Sequence, residues 1–306
     1  MFCYNPMSRL NVALNSLSDG LKLINKELAY DFAKVYLLIY LVNASLFALL
    51  SIAILTLTPI SINDLSIVFK GNFGIAPKIL SSIWIILAIS IPLYLIAGIV
   101  NNAVGSTIYN IIKNRSLGKN TKIIEQTKDN FTQITIFYII ELAISFTIFV
   151  PLLILLFNAM QSTKNPSSAF PFLIVFLVGV LAILFAVFVN FFLQFVSLEI
   201  TLNKKTAINA IKSSINMVKK NLLLVIIFGV LLMFLNWGVA MLFGVFNQFL
   251  GVIMNLGFQN PIFLVLWLII FVPFSFIESV IFSLVIIPPR YILWQKISQT
   301  VEKNDI

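Results

Sequence analysis

"ITIFYIIELAISFTIFVPLLILLF", residues 134–157, carries one charge, Glu141, in a run long enough to cross a bilayer. About 20 helical residues rising 1.5 Å each cover the ~30 Å of hydrocarbon in a membrane. A barrel strand would be about ten residues long and would alternate in polarity, which this run does not do. The stretch reads as a helix in lipid.

The run extends over about 134–158, and five further runs share its character, at about 35–58, 79–100, 169–197, 221–246 and 261–287. The whole chain agrees. Of its 306 residues 60% are hydrophobic and 10% charged, with mean hydropathy +1.04. Soluble domains are nearer half apolar and a quarter charged. The expected fold class is therefore all-α, a polytopic bundle of six transmembrane helices with cytoplasmic interfacial amphipathic helices, built as three loose helix-hairpin units. Residues 1–34 are expected to form a cytoplasmic amphipathic segment, 35–287 the membrane domain and 288–306 a cytoplasmic interfacial tail.

Orientation follows from the distribution of Lys and Arg, which are retained on the cytoplasmic side. The segments before span one, between spans two and three, between four and five and after six hold 17 of the 20 basic residues. The opposite side holds Lys70, Lys78 and Lys164. Both termini are expected in the cytoplasm, with the spans in the cell (plasma) membrane. The N-terminus lacks a compact apolar region followed by a small-residue cleavage site, so the first run is expected to stay as an anchor. Cys3, the one cysteine, excludes an intramolecular disulfide; acylation or an inert thiol both suit it. With this topology Cys3 resists an impermeant thiol reagent added to intact cells, and ready labelling from outside would contradict it.

Between spans four and five lies "TLNKKTAINAIKSSINMVKKN", residues 201–221. Ile208, Ile211, Ile215 and Val218 recur at steps of three and four, which puts them on one helix face. Thr206 is expected as the N-cap. Such a helix suits the membrane surface, with Lys204, Lys205, Lys212, Lys219 and Lys220 toward anionic headgroups, or else packs its stripe on neighbouring spans. Residues 16–36 repeat the pattern through Leu21, Ile24, Leu28, Phe32 and Val35, with Ser18 or Asp19 as cap. Residues 117–135 repeat it more weakly through Ile124, Phe131 and Ile134. After span six, "IIPPRYILWQKI" (286–297) is expected to break at Pro288 and Pro289, with Tyr291 and Trp294 in the headgroup layer and Arg290 and Lys296 beside them.

The stretch 197–223, with Glu199, Ala207, Ala210, Ser213 and Ser214, resembles a signature of a loose family of six-span prokaryotic membrane proteins. That family includes the membrane domain attached to some glycerophosphodiester phosphodiesterases. The resemblance implies an integral membrane protein of unknown activity. The family's glycine-containing turn is replaced here by "LNKK" (202–205). The phosphodiesterase itself is not expected, because its catalytic domain uses histidines and this chain has none.

The missing histidine also removes Ser–His proteolysis and His-held zinc or haem, and one cysteine removes Cys-rich metal clusters. No GxxxxGK[ST] phosphate loop is present. No catalytic set, cofactor, metal or nucleic-acid partner is expected. Two acids remain inside the spans, Glu141 and Glu278. A carboxylate in hydrocarbon is costly, so each must be neutral, paired or in a wet cavity. One reading is a proton or cation relay or recognition of a polar headgroup. The other is a neutral carboxyl bonded to Asn190, Gln194, Asn43 or a serine. Asn190, Gln194 and Asn236 are first candidates for interhelical hydrogen bonds. Gly98, Gly238 and Gly244 are expected at close helix contacts. The expected function is a lipid- or envelope-associated scaffold or accessory protein, with membrane lipids and other membrane proteins as partners. A small-molecule or lipid transporter using Glu141 and Glu278 is the alternative.

Overall fold

The computed structural model describes residues 6–58, 76–119, 123–162, 170–257 and 261–302. Cys3, Lys70 and Lys164 lie outside them. Six described helices are long and apolar enough to cross a membrane. They are α2 (Lys26–Leu57), α3 (Ala76–Ser116), α4 (Ile123–Ser162), α5 (Phe170–Leu193), α8 (Leu222–Gly257) and α9 (Pro261–Glu302). Three shorter ones are α1 (Pro6–Lys22), α6 (Val196–Asn203) and α7 (Ala207–Lys220). The described structure is an all-α bundle, with two compact units, residues 1–127 with 222–306, and residues 128–221.

In the first unit α2 runs antiparallel to both α3 and α9. Glu27 and Asp31 at its start meet Arg115 at the end of α3, while Asn43 farther along accepts a hydrogen bond from Asn101 at 3.0 Å. Tyr36 bonds Ser283, and Tyr40 lies 3.3 Å from the Ser279 hydroxyl. The capping residue of α2 is Asn25, whose Oδ1 accepts the Leu28 N–H at 2.8 Å. The expected stripe from Leu21 to Val35 is therefore split between two helices, and neither Ser18 nor Asp19 caps it. An asparagine three residues before an orphan N–H is the better cap, because its side chain reaches that donor. Leu28, Phe32 and Val35 are buried as expected. At the other end, α3 closes with Gly118 at φ 68, the Lys119 N–H reaching the Asn114 carbonyl at 2.8 Å. This is the glycine-dependent cap in which a left-handed residue turns the chain back onto the last carbonyls.

The expectation that Pro288 and Pro289 end a helix is not met, since α9 continues through both to Glu302. A proline removes one backbone donor and crowds the preceding turn. Here packing offsets that cost. A Cβ on Gly20 of α1 would lie 2.8 Å from the Pro288 carbonyl carbon and nearer still to the Pro289 backbone, so only glycine permits this approach. Tyr291 and Trp294 are covered by protein, 2% and 6% exposed, with their rings stacked at 6.1 Å. Lys296 donates to Asp19 at 3.0 Å. That hydrogen bond holds the Asp19 carboxyl below its usual range, a small stabilisation present at neutral pH and lost as pH falls through the lowered pKa.

In the second unit the chain leaves α5 through a two-residue break at Gln194 and Phe195, enters α6, turns at Lys204 and returns as α7. α7 packs on both α5 and α6. In α4 the expected amphipathic stripe is continuous with the span. Ile134 is buried, whereas Ile124 and Phe131 are exposed. Among the described residues a Cβ at Gly238 or Gly244 on α8 would meet nothing within 4 Å, so the close helix contacts expected at these two glycines are not made there.

Lys204 sits at φ 54, ψ 30, in the left-handed region, at the turn where the resembling family carries glycine. An L side chain pays about 1 kcal/mol or more there. Lys204→Gly is therefore expected to be about 1 kcal/mol more stable than Lys204→Ala, both having lost the ammonium. Unfolding of the two variants in the same mixed micelles checks this, and equal stabilities would contradict the strain.

Candidate functional site: the α6–α7 elbow

The break between α5 and α6 leaves the Phe195 N–H without its helical acceptor. Ser214 of α7 supplies one: its hydroxyl accepts that N–H at 3.3 Å and donates to the Phe192 carbonyl at 2.6 Å. Ala207 and Ala210, both buried, let α7 approach closely on the same side. Thr206 stands at the N-cap position, but its hydroxyl makes no capping bond. Gln133 of α4 does that work, its Oε1 accepting the Ala207 N–H at 2.9 Å.

Glu199 is the electrostatic centre of the elbow and is 1% exposed. Its Oε2 faces the Lys205 ammonium at 2.6 Å and accepts bonds from Ser213 at 3.0 Å and Asn203 at 3.2 Å. Lys205 also donates to Ser213 at 2.9 Å. A buried carboxylate is tolerable when its lone pairs are filled in this way. All five residues that carry the sequence resemblance therefore lie in the packing of α6 and α7.

The lysines divide accordingly. Lys204 donates to Asn130 at 3.0 Å and Lys205 is bound to Glu199, so these two are committed within the fold rather than to headgroups. Lys212, Lys219 and Lys220 are exposed. The buried face of α7 consists of Ala207, Ala210, Ser214, Met217 and Val218. It is rotated from the expected isoleucine stripe. Ile208 is 59% exposed and Ile211 and Ile215 are half-exposed. At 100° per residue these isoleucines form a band bordered by Lys212 and Lys219, four residues after Ile208 and Ile215.

The intramembrane candidates are placed differently. Glu141 is half-buried on α4 and Glu278 half-buried on α9, in separate units. Among the described residues neither carboxyl has a side-chain hydrogen bond. Asn190 is exposed and gives its amide to the Ala186 carbonyl, while Asn43 is engaged with Asn101, so neither is the expected partner of an acid. Gln194 Nε2 and Asn236 Oδ1 are buried and have no hydrogen-bond partner among the described residues, so the interhelical bonds expected of these atoms are not made there.

Two groupings were not read from the sequence. Arg115 Nε and Nη2 both reach Asp31 Oδ2 at 2.7 Å, and Nη1 reaches Glu27 at 2.8 Å. Along the α2–α9 seam Tyr36 and Tyr40 meet Ser283, Ser279 and Ser275. The recurrence of serine every four residues in span six was a legible signal of a polar helix face.

No curated protein and no solved structure matches the chain. Residues 39–287 match the family described as a domain of unknown function, DUF7847, a description that carries no phosphodiesterase. That match takes in every expected span but the first four residues of the first, and with it the whole elbow; the chain belongs to the DUF7847 family.

Proposed function

We propose that this multi-pass membrane protein is a non-enzymatic scaffold or accessory protein that holds α7 against an anionic membrane surface. The observation that carries the reading is the two-sided character of α7. One side is locked by Ser214, Ala207 and Ala210, and another presents exposed Ile208 between the half-exposed isoleucines and Lys212 and Lys219. Apolar side chains bordered by lysines fit the boundary between headgroups and acyl chains, where lysine stems lie along lipid and their charges reach water. The lopsided distribution of Lys and Arg supports a cytoplasmic surface of the plasma membrane, with both termini on that side. The likeness around Glu199 supports kinship with the membrane domains joined to some glycerophosphodiester phosphodiesterases.

The test is native mass spectrometry of the gently purified protein, scoring which lipids stay bound. Each lysine near an anionic surface contributes about 1 kcal/mol. The double variant Lys212→Gln/Lys219→Gln is therefore expected to lose anionic-lipid retention about 30-fold, with neutral lipids unaffected. Equal retention by variant and parent would remove the reading.

The hydroxyl seam favours a second reading. Tyr36, Tyr40 and three serines line a polar contact within the spans, on the helix that carries Glu278. A transporter would use such a line for a proton or polar solute. Proteoliposome flux that responds to a pH gradient and is lost in Glu278→Gln would favour it; no flux would leave the scaffold.

A further inference from the structure

We propose that Arg290 binds a phosphate oxyanion at the membrane surface. The site lies in the unit formed by residues 1–127 and 222–306, away from α7 in sequence, and the inference does not depend on where α7 lies. At the end of this unit where α2 begins and α3 and α9 finish, the carboxylates of α1 and α2 already have cations. Asp19 meets Lys296 at 3.0 Å and Lys22 at 3.7 Å. Asp31 meets Arg115 at 2.7 Å and Lys34 at 3.9 Å, and Glu27 takes another nitrogen of Arg115 at 2.8 Å. Arg290 differs from all of these. It is half-buried, and its Nε is shielded from solvent with no acceptor among the described residues.

A buried guanidinium N–H without an acceptor is unfavourable, and the side chain cannot escape by losing its proton. Its depth identifies what supplies the acceptor. Tyr36 answers Ser283 and Tyr40 answers Ser279, so four residues along α2 correspond to four along α9. Continued along α9, this antiparallel register brings Arg290 level with Ala29, in the first turn of α2. That is the level of the charged end, not of the apolar middle. At a bilayer surface the abundant oxyanion is phosphate, and the planar fork of arginine matches it where a lysine would offer only a point charge. The same chemistry is available from a lipid headgroup or from free phosphate.

The experiment takes the full-length protein in neutral detergent and titrates it with phosphatidylglycerol, a galactosyl-diacylglycerol lacking phosphate, or inorganic phosphate. Bound molecules are counted by native mass spectrometry. The parent is expected to prefer phosphatidylglycerol over the galactolipid, and Arg290→Gln to weaken phosphatidylglycerol about tenfold while leaving galactolipid binding unchanged. Arg290→Lys, which keeps the charge and removes the fork, is expected to weaken it about threefold and serves if the Gln variant does not fold. Displacement of the lipid by inorganic phosphate, seen in the parent and absent from Arg290→Gln, assigns the same site to free phosphate. Lys212→Gln/Lys219→Gln is expected to retain the Arg290-dependent preference, which separates this site from α7. Unchanged phosphatidylglycerol and phosphate binding in the Arg290 variants overturns the proposal.

Discussion

Replacing Glu199 by alanine is expected to cost about 3 kcal/mol of stability and to free α7 from its seat. The carboxylate is 1% exposed and gathers Lys205, Ser213 and Asn203 on one oxygen. Removing it takes away the acceptor shared by Ser213 and Asn203 and the counter-charge of Lys205. Removing one member of a buried ion pair typically costs 3–5 kcal/mol, and the lower end applies because Lys205 is 39% exposed and regains water. Glu199→Gln keeps an acceptor for Ser213 and Asn203 and is expected to cost about half as much. Unfolding by SDS in mixed micelles reads the stability. Proteolysis after Lys204 or Lys205 reads the release of the elbow. A loss below about 1 kcal/mol in Glu199→Ala would mean that the elbow is not held by this carboxylate.

Arg115→Met is the second large effect: it leaves the buried Asp31 carboxylate without its nearest cation, and it falls on the α2–α3 pair. Asp31 is 7% exposed on its side chain and would keep only Lys34, at 3.9 Å. Glu27, 70% exposed, returns to water at little cost. The discriminating variant is the double one. Asp31→Leu/Arg115→Met removes both partners and is expected to recover most of the stability lost in Arg115→Met alone. A double variant no more stable than the single would show that the two groups do not interact.

The spans were readable because hydropathy over about 20 residues is a local property. All six expected runs fall largely within described helices, and α5 and α8 expose many large apolar side chains, among them Phe176, Leu181, Met241 and Leu242. Helix ends were less readable. Pro288 and Pro289 signal a stop on local grounds, and what overrides them is Gly20, far away in sequence. The elbow was legible in outline, since α7 has an amphipathic period. Its orientation was not. Ala207, Ala210 and Ser214 are small enough to pack tightly, and they win the buried side from the larger isoleucines because close approach also satisfies the Phe195 N–H. Glu199 was noted for its likeness to a family pattern, but its bond to Lys205 depends on the left-handed turn at Lys204, a backbone state that lysine does not advertise. The tyrosine–serine seam joins residues more than two hundred positions apart and leaves no local trace beyond the serine spacing.

The position of α7 at the membrane surface is tested most directly by spin-label depth measurement in anionic liposomes. In a Cys3→Ser background, single cysteines at Ile208 and Asn216 are labelled in turn, and collisions with oxygen and with a water-soluble nickel chelate are compared. The account predicts that the label at 208 meets oxygen and is shielded from nickel, at a depth of about 5–10 Å into the headgroup boundary, while the label at 216 meets nickel freely. Equal nickel access at both positions would contradict it, because α7 would then stand in water with its isoleucines exposed.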